Sequence, residues 1–264
     1  MAQTRLHINT GVDLSGRGLP PVMPPFPSLE GALYAAYCPG QNYGALATDP
    51  VAARYGARYD WSGGGRHLST LGGVTINDWY MSGKIGADVP YMPINGADLV
   101  AAGGGDYTLV AIAQSSDSAL TISLLRNGGA NPTAFLMLNP MGLNGLALAD
   151  MRVEGVSHQA VVDNIGADRA RIGIYAGVWT PEGRTIYHSG PTGPLRSGTH
   201  NEPVPTTSAG NYYIGIESAG SGTEGINRIY GVGLYAKALS AAEVAFVQES
   251  FRAWHEAAES GLVI

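Results

Sequence analysis

Apolar and polar residues alternate with a period of two along most of the chain, as they do in strands that bury one face. The pattern is plainest near the C-terminus. Ile226, Arg228 and Tyr230 fall on one face and Asn227 and Ile229 on the other, and Val232 and Leu234 continue through glycines into Tyr235. Further strands are predicted over residues 31–37, 91–94, 106–113, 120–125, 134–138, 145–148, 156–163, 170–179, 185–190 and 211–216. Asn-Gly-Gly and Asn-Pro turns separate several of them. The rest of 31–110 reads as irregular loop, and 191–210, rich in Pro, Gly, Ser and Thr, as one long exposed loop.

The period changes once. After Ser240, Val244, Val247, Phe251 and Trp254 recur at spacings of 3, 4 and 3, which predicts a helix over 241–259 stopped by Gly261. Ser240-Ala-Ala-Glu243 is a capping box for it. The stripe is expected to pack on the chain's own strands, with Phe251 and Trp254 as the alternative partner-binding surface.

Three stretches in order carry a resemblance. Residues 234–244 read Leu-Tyr-x-x-Ala-Leu-Ser-x-x-Glu-Val, residues 60–67 Asp-x-Ser-Gly-x-x-x-His, and residues 106–109 Asp-Tyr-Thr-Leu entering a long core strand. Over residues 31–250 this resembles laminin-G-like domains of the concanavalin A-like lectin and glucanase superfamily. The resemblance implies an all-β fold, a two-sheet antiparallel jelly-roll sandwich, here with one C-terminal helix. Such relatives often hold Ca²⁺ through loop carboxylates and carbonyls, which would draw on Asp60, Asp78 and Asp106. No spaced run of oxygen ligands supports a site, so no metal or other cofactor is assigned.

Composition agrees with many short strands: 38 glycines, 16 prolines and 14% charged residues in 264. The 45% apolar fraction supplies a core and excludes global disorder. The net charge of −6, without basic runs, argues against nucleic-acid binding. No apolar run reaches the roughly 18–20 residues that span a bilayer, and the N-terminus has no apolar signal-peptide core. Cys38 is alone, which leaves no intrachain disulfide.

Residues 1–30 stand apart as an extended arm, followed by a sandwich over 31–240 and a helical segment over 241–264. Pro20, Pro21, Pro24, Pro25 and Pro27 favour a stiff polyproline-like spacer, and Leu6 and Ile8 alternate with polar neighbours ahead of it. Leu6, Ile8, Pro21, Pro24 and Phe26 are therefore the expected anchoring contacts to a partner, through strand addition to a sheet edge.

Catalytic signals are missing. Asp150 and Glu154 are the nearest acidic pair, lack a third carboxylate, and read as solvated turn residues rather than a glycosidase pair. Residues 220–225, Gly-Ser-Gly-Thr-Glu-Gly, lead into a strand, so they read as a hairpin loop and not a dinucleotide site. The six histidines show no metal-ligand spacing. Binding chemistry is better represented. Sugar sites combine aromatic faces with carboxylate or amide groups, which nominates Asp78, Trp79, Tyr80 and Tyr212.

The expected protein is a non-enzymatic structural or adhesion component of a bacteriophage particle, either capsid decoration or a tail or fibre component, anchored by its arm and localised to the virion. Its expected partners are other virion proteins, further copies of itself and host surface polysaccharide. The alternatives are a carbohydrate-binding lectin module of a bacterial surface protein and, last, a polysaccharide-cleaving enzyme.

Overall fold

The computed structural model describes residues 24–46, 50–83, 91–115, 122–127, 133–139, 146–154, 156–166, 168–203, 210–215, 227–258 and 260–264. Leu6, Ile8, Pro21 and the loop at 220–225 lie outside the described residues. In chain order the elements are β1 (Leu33–Tyr37), α1 (Gln41–Leu46), α2 (Pro50–Tyr55), β2 (Thr75–Ile76), β3 (Met81–Gly83), β4 (Tyr91–Asn95), α3 (Gly96–Ala102) and β5 (Tyr107–Ser115). They continue with β6 (Ile122–Asn127), β7 (Thr133–Asn139), β8 (Leu146–Val153), β9 (Val156–Val162), β10 (Gly173–Thr180), β11 (Gly183–Ser189), β12 (Arg196–His200), β13 (Asn211–Ile214), β14 (Asn227–Tyr235) and α4 (Ala241–Ala257).

The strands form two antiparallel sheets. One has the order β12-β11-β10-β5-β14-β3-β2, with β1 also paired to β14, and the other the order β4-β13-β6-β7-β8-β9. Their facing sides make the main core, which includes Leu109, Ala111, Ala113, Leu136, Ala149, Tyr175, Ile214, Val232 and Leu234. The first sheet is buried on its other face too. There Val110, Ile112, Ile174 and Ala176 meet Val244, Val247, Phe251 and Trp254 of α4. That double burial explains why β5 reads as an almost unbroken apolar run rather than an alternation.

The capping box forms as the sequence predicts: Ser240 Oγ accepts from the Glu243 amide at 3.3 Å, and the Glu243 carboxylate accepts from the Ser240 amide at 2.8 Å. The helix packs on the chain's own sheet, so Phe251 and Trp254 are interior residues and not a partner surface. Phe26 is corrected in the same way. It is fully buried, with its ring 5.4 Å from that of Phe251 in an edge-on arrangement. A Cβ at Gly231 would lie 2.7 Å from the Phe251 ring, and one at Gly233 2.9 Å from the Phe26 ring. The two glycines thus make a flat floor on β14 for both phenylalanines. Tyr235 adds a hydrogen bond from its hydroxyl to the Pro27 carbonyl. The sandwich therefore begins before residue 31, and of the described arm residues proposed as anchors only Pro24 is exposed.

The alternation in β14 slips by one position. Ile229 pairs with Ala113 and Gly231 with Ile112, so two residues oppose one in a bulge at Tyr230. Ile229, Val232 and Leu234 consequently all face the core between the sheets.

Three expectations change. The described part of 31–110 carries three short α-helices and a 3-10 turn at Gly56–Arg58, and 191–210 contains strand β12. Asp150 is no solvated turn residue; it is fully buried in β8, accepting from Ser157 Oγ at 2.6 Å and from the His158 amide at 3.1 Å. At the far end of the sandwich the edge strands β12 and β9 close on one another. A Cβ at Gly198 would meet the Val161 carbonyl oxygen at 1.7 Å, so only glycine permits that approach.

Candidate functional site

The turn at 77–80 is held by the backbone of α1: the Gln41 amide donates to the Asn77 carbonyl and the Asn42 amide to the Asp78 carbonyl, both at 2.9 Å. Asp78 is exposed, but the aromatics after it are engaged within the chain. The Trp79 indole stands edge-on to Tyr43 at 5.3 Å, Trp254 at 6.0 Å and His255 at 5.3 Å. Tyr80 lies against Tyr230 at 5.3 Å, and the Arg228 guanidinium sits 5.1 Å from its ring centre. Trp79 and Tyr80 thus close the outer core beside α4. Tyr212 points inward with Ile214 and is fully buried between the sheets, which removes it from any ligand surface. The four residues nominated from sequence do not form one site.

A different group of residues lines a cleft of about 480 Å³ beside the β1–β14 junction. Its walls are Leu29 to Tyr34, Arg66, Ala102, Ala236 and Lys237. The volume lies within the ~300–1,000 Å³ typical of small-molecule sites. Its lip is a turn in which Leu29, Glu30 and Gly31 all take the left-handed conformation, with φ of 46°, 63° and 87°. Two successive non-glycine residues at positive φ store backbone strain, which persists only where surrounding structure fixes it. Here Ser28 does so: its hydroxyl accepts from the Gly31 amide at 3.1 Å and its carbonyl from the Leu33 amide at 3.1 Å.

Arg66 is placed from three directions. Its amide donates to Asp60 Oδ2 at 2.9 Å, its carbonyl accepts from the Tyr37 hydroxyl at 2.5 Å, and Nη1 donates to the Tyr34 carbonyl at 2.9 Å. Its guanidinium lies 3.9 Å from the centre of the Tyr34 ring, a close cation–π contact. Across the cleft, Lys237 pairs with Glu243 at 2.5 Å and more loosely with Glu30 at 3.8 Å. The Glu243 hydrogen bond holds the ammonium above its ordinary pKa.

Asp60 organises this whole loop. Fully buried, it accepts from the Ala36 and Ser62 amides through Oδ1 at 3.1 and 3.0 Å, besides the Arg66 amide through Oδ2. Three backbone donors converge on its two oxygens, which gives this carboxylate a structural role in the loop. Asp60→Asn keeps one acceptor oxygen and sets an amide donor against a backbone N–H. The expected cost is about 2 kcal/mol, read as a melting midpoint lower by roughly 5 °C; an unchanged midpoint would refute this role.

Tyr34, Arg66 and Lys237 were not singled out from sequence. The available signal was Arg66 inside the Asp-x-Ser-Gly-x-x-x-His loop, but its partner Tyr34 lies 32 residues earlier and only the fold joins them.

No protein-family model matches the sequence, and no curated protein is detectably similar to it. Solved structures are. A structure described as cell entry of botulinum neurotoxin type C dependent upon interaction with two ganglioside molecules superposes with a TM-score of 0.60 at 11% identity over 87% of this chain, and one described as a receptor binding domain with 0.61 at 11% identity over 86%. The binding domain of botulinum neurotoxin DC in complex with rat synaptotagmin II gives 0.58 at 9% identity over 87% of this chain. Each match covers 52–53% of the other chain, so this chain spans about half the length of those neighbours. What this chain shares with them is the β-sandwich fold.

Proposed function

We propose that this protein is a non-enzymatic carbohydrate-binding adhesion module, and that it takes an acidic glycan in the cleft between Tyr34, Arg66 and Lys237. The observation that carries the reading is Arg66. Its guanidinium is preorganised on an aromatic face, in a cleft of saccharide size, with no carboxylate partner among the described ion pairs. A planar guanidinium matches a carboxylate bidentately, and tyrosine and small apolar residues beside it suit the apolar face of a sugar ring. The sandwich neighbours lend support, since one is described with gangliosides and another in complex with SialylT.

The setting is a larger particle, the phage virion suggested by the sequence, with the Pro-rich segment ahead of Phe26 as tether. Several copies on one particle would turn weak single-site affinity into avidity.

Titration with sialyllactose and with lactose tests the site. Saturable binding of the acidic sugar is expected, weakened at least about tenfold by Arg66→Gln, the loss of one charge-assisted contact, and unchanged by Trp79→Ala. Equal binding by the Arg66 variant, or none by the parent, would sink the assignment. Binding lost in Trp79→Ala alone would move the site to the 77–80 turn. Calcium or chelator in the titration should make no difference.

A further inference from the structure

Where the two sheets close on each other, three ligating side chains converge. His158 projects from β9 in one sheet, His200 ends β12 in the other, and Glu202 follows two residues on. Glu202 Oε2 lies 3.3 Å from His158 Nδ1 and 3.2 Å from His200 Nε2, and the three ligating atoms lie within 4.8 Å of one another. Around a tetrahedral zinc ion with bonds of about 2.0–2.1 Å, neighbouring ligand atoms stand about 3.4 Å apart. Two of the three edges already have that length. All three side chains retain solvent access, so an ion can enter and the long edge can close by side-chain rotation.

The backbone carrying these ligands is held by buried charge. Arg184, 2% exposed, donates from Nη1 to the His158 carbonyl at 2.9 Å and from Nη2 to the Glu202 carbonyl at 3.0 Å. Asp150, fully buried, accepts from the His158 amide at 3.1 Å. One buried arginine thus ties together the two segments that bring ligands from opposite sheets. Fixed outer contacts of this kind orient metal ligands and tune affinity. Gly198, two residues before His200, permits the close strand approach that brings the groups together.

We propose that His158, His200 and Glu202 form a binding site for a divalent transition metal of the zinc class, which clasps the two sheet edges. Two imidazoles and one carboxylate select such an ion over calcium, which prefers oxygen ligands in larger number. The fourth tetrahedral position faces solvent and takes water. His200-Asn-Glu202 is the local trace of the site in the sequence, since residues two apart on an extended chain point to the same side.

Calorimetric titration of the full chain with zinc chloride, after dialysis against chelator, tests the site. One ion per chain is expected, with affinity falling at least about tenfold in His200→Ala and in Glu202→Gln. Both positions are accessible, so the variants should fold, checked by circular dichroism. At zinc about a hundredfold above the dissociation constant, the parent's melting midpoint should rise by roughly 5–10 °C and that of the variants should not. Cobalt in place of zinc should give the intense visible absorption of a four-coordinate ion. Absence of saturable binding, equal affinity in the variants, or a weak octahedral cobalt spectrum would overturn the proposal.

Discussion

Phe26→Ala should destabilise the protein by about 4 kcal/mol, within the usual ~3–5 kcal/mol for emptying a buried aromatic site. The ring is fully enclosed between Phe251 and the glycine floor of β14. Neither neighbour can collapse into the gap, because Phe251 is anchored in α4 and the floor is backbone. For a chain of this size the midpoint should drop by roughly 10 °C. The same contact predicts contrasting truncations. Removal of residues 1–23 keeps Phe26, Pro27 and Ser28 in the chain and is the reference for the longer truncation. Removal of residues 1–30 should cost at least as much as Phe26→Ala, since it also strips the Pro27 carbonyl from the Tyr235 hydroxyl and the Ser28 supports from the cleft lip. Equal melting of the two truncations would mean that residues 24–30 are a passive tail.

That contrast marks where the sequence was legible. The proline cluster reads as an extended arm, but nothing in its pattern distinguishes a free residue from one docked on distant glycines. Only Gly231 and Gly233, some 200 residues later, make room for Phe26. The long core strands and α4 were readable because their apolar period is sustained over eight or more residues. The short helices were not: α1 and α2 are six residues each, too short to express an amphipathic stripe. Strand β12 was missed because Arg-Ser-Gly-Thr-His has no apolar alternation; it pairs through backbone to β11 and leans on β9 through Gly198. Tyr212 was misplaced by one step of phase, since Ile214 shares its face and points inward. The cleft had no local signature at all. Its chemistry comes from residues 29–34, 66 and 236–237, brought together by the pairing of β1 with β14.

Acid should unfold the protein early, because it buries two neutral histidines. His255 is 1% exposed, and burial lowers its pKa to about 3; His188 is fully buried, and chiefly for the same reason its pKa falls to about 4. The hydrogen bonds agree. The His188 Nδ1 proton goes to the Ile174 carbonyl at 3.0 Å. The Tyr43 hydroxyl spends its single proton on the Tyr230 carbonyl at 3.1 Å, so His255 Nε2 must donate to it at 2.7 Å. His255 Nδ1 then has no hydrogen-bond partner for a second proton. Both native pKa values lie below the unfolded value near 6.5, so the unfolded chain binds the extra protons. The stability contributed is complete above about pH 6.5 and is lost as the pH falls towards the native values of about 4 and 3. The two groups together should cost about 3 kcal/mol between pH 6.5 and 5, and on the order of 5 kcal/mol by pH 4. The upper window is the diagnostic one, because ordinary carboxylates remain ionised there. Urea unfolding at pH 7, 6 and 5 checks it, with His255→Phe expected to halve the slope. A stability constant from pH 7 to 5 would mean that both histidines gain protons inside the fold at no cost, His188 against the Asp168 carboxylate 3.7 Å from its Nε2, and would refute this account.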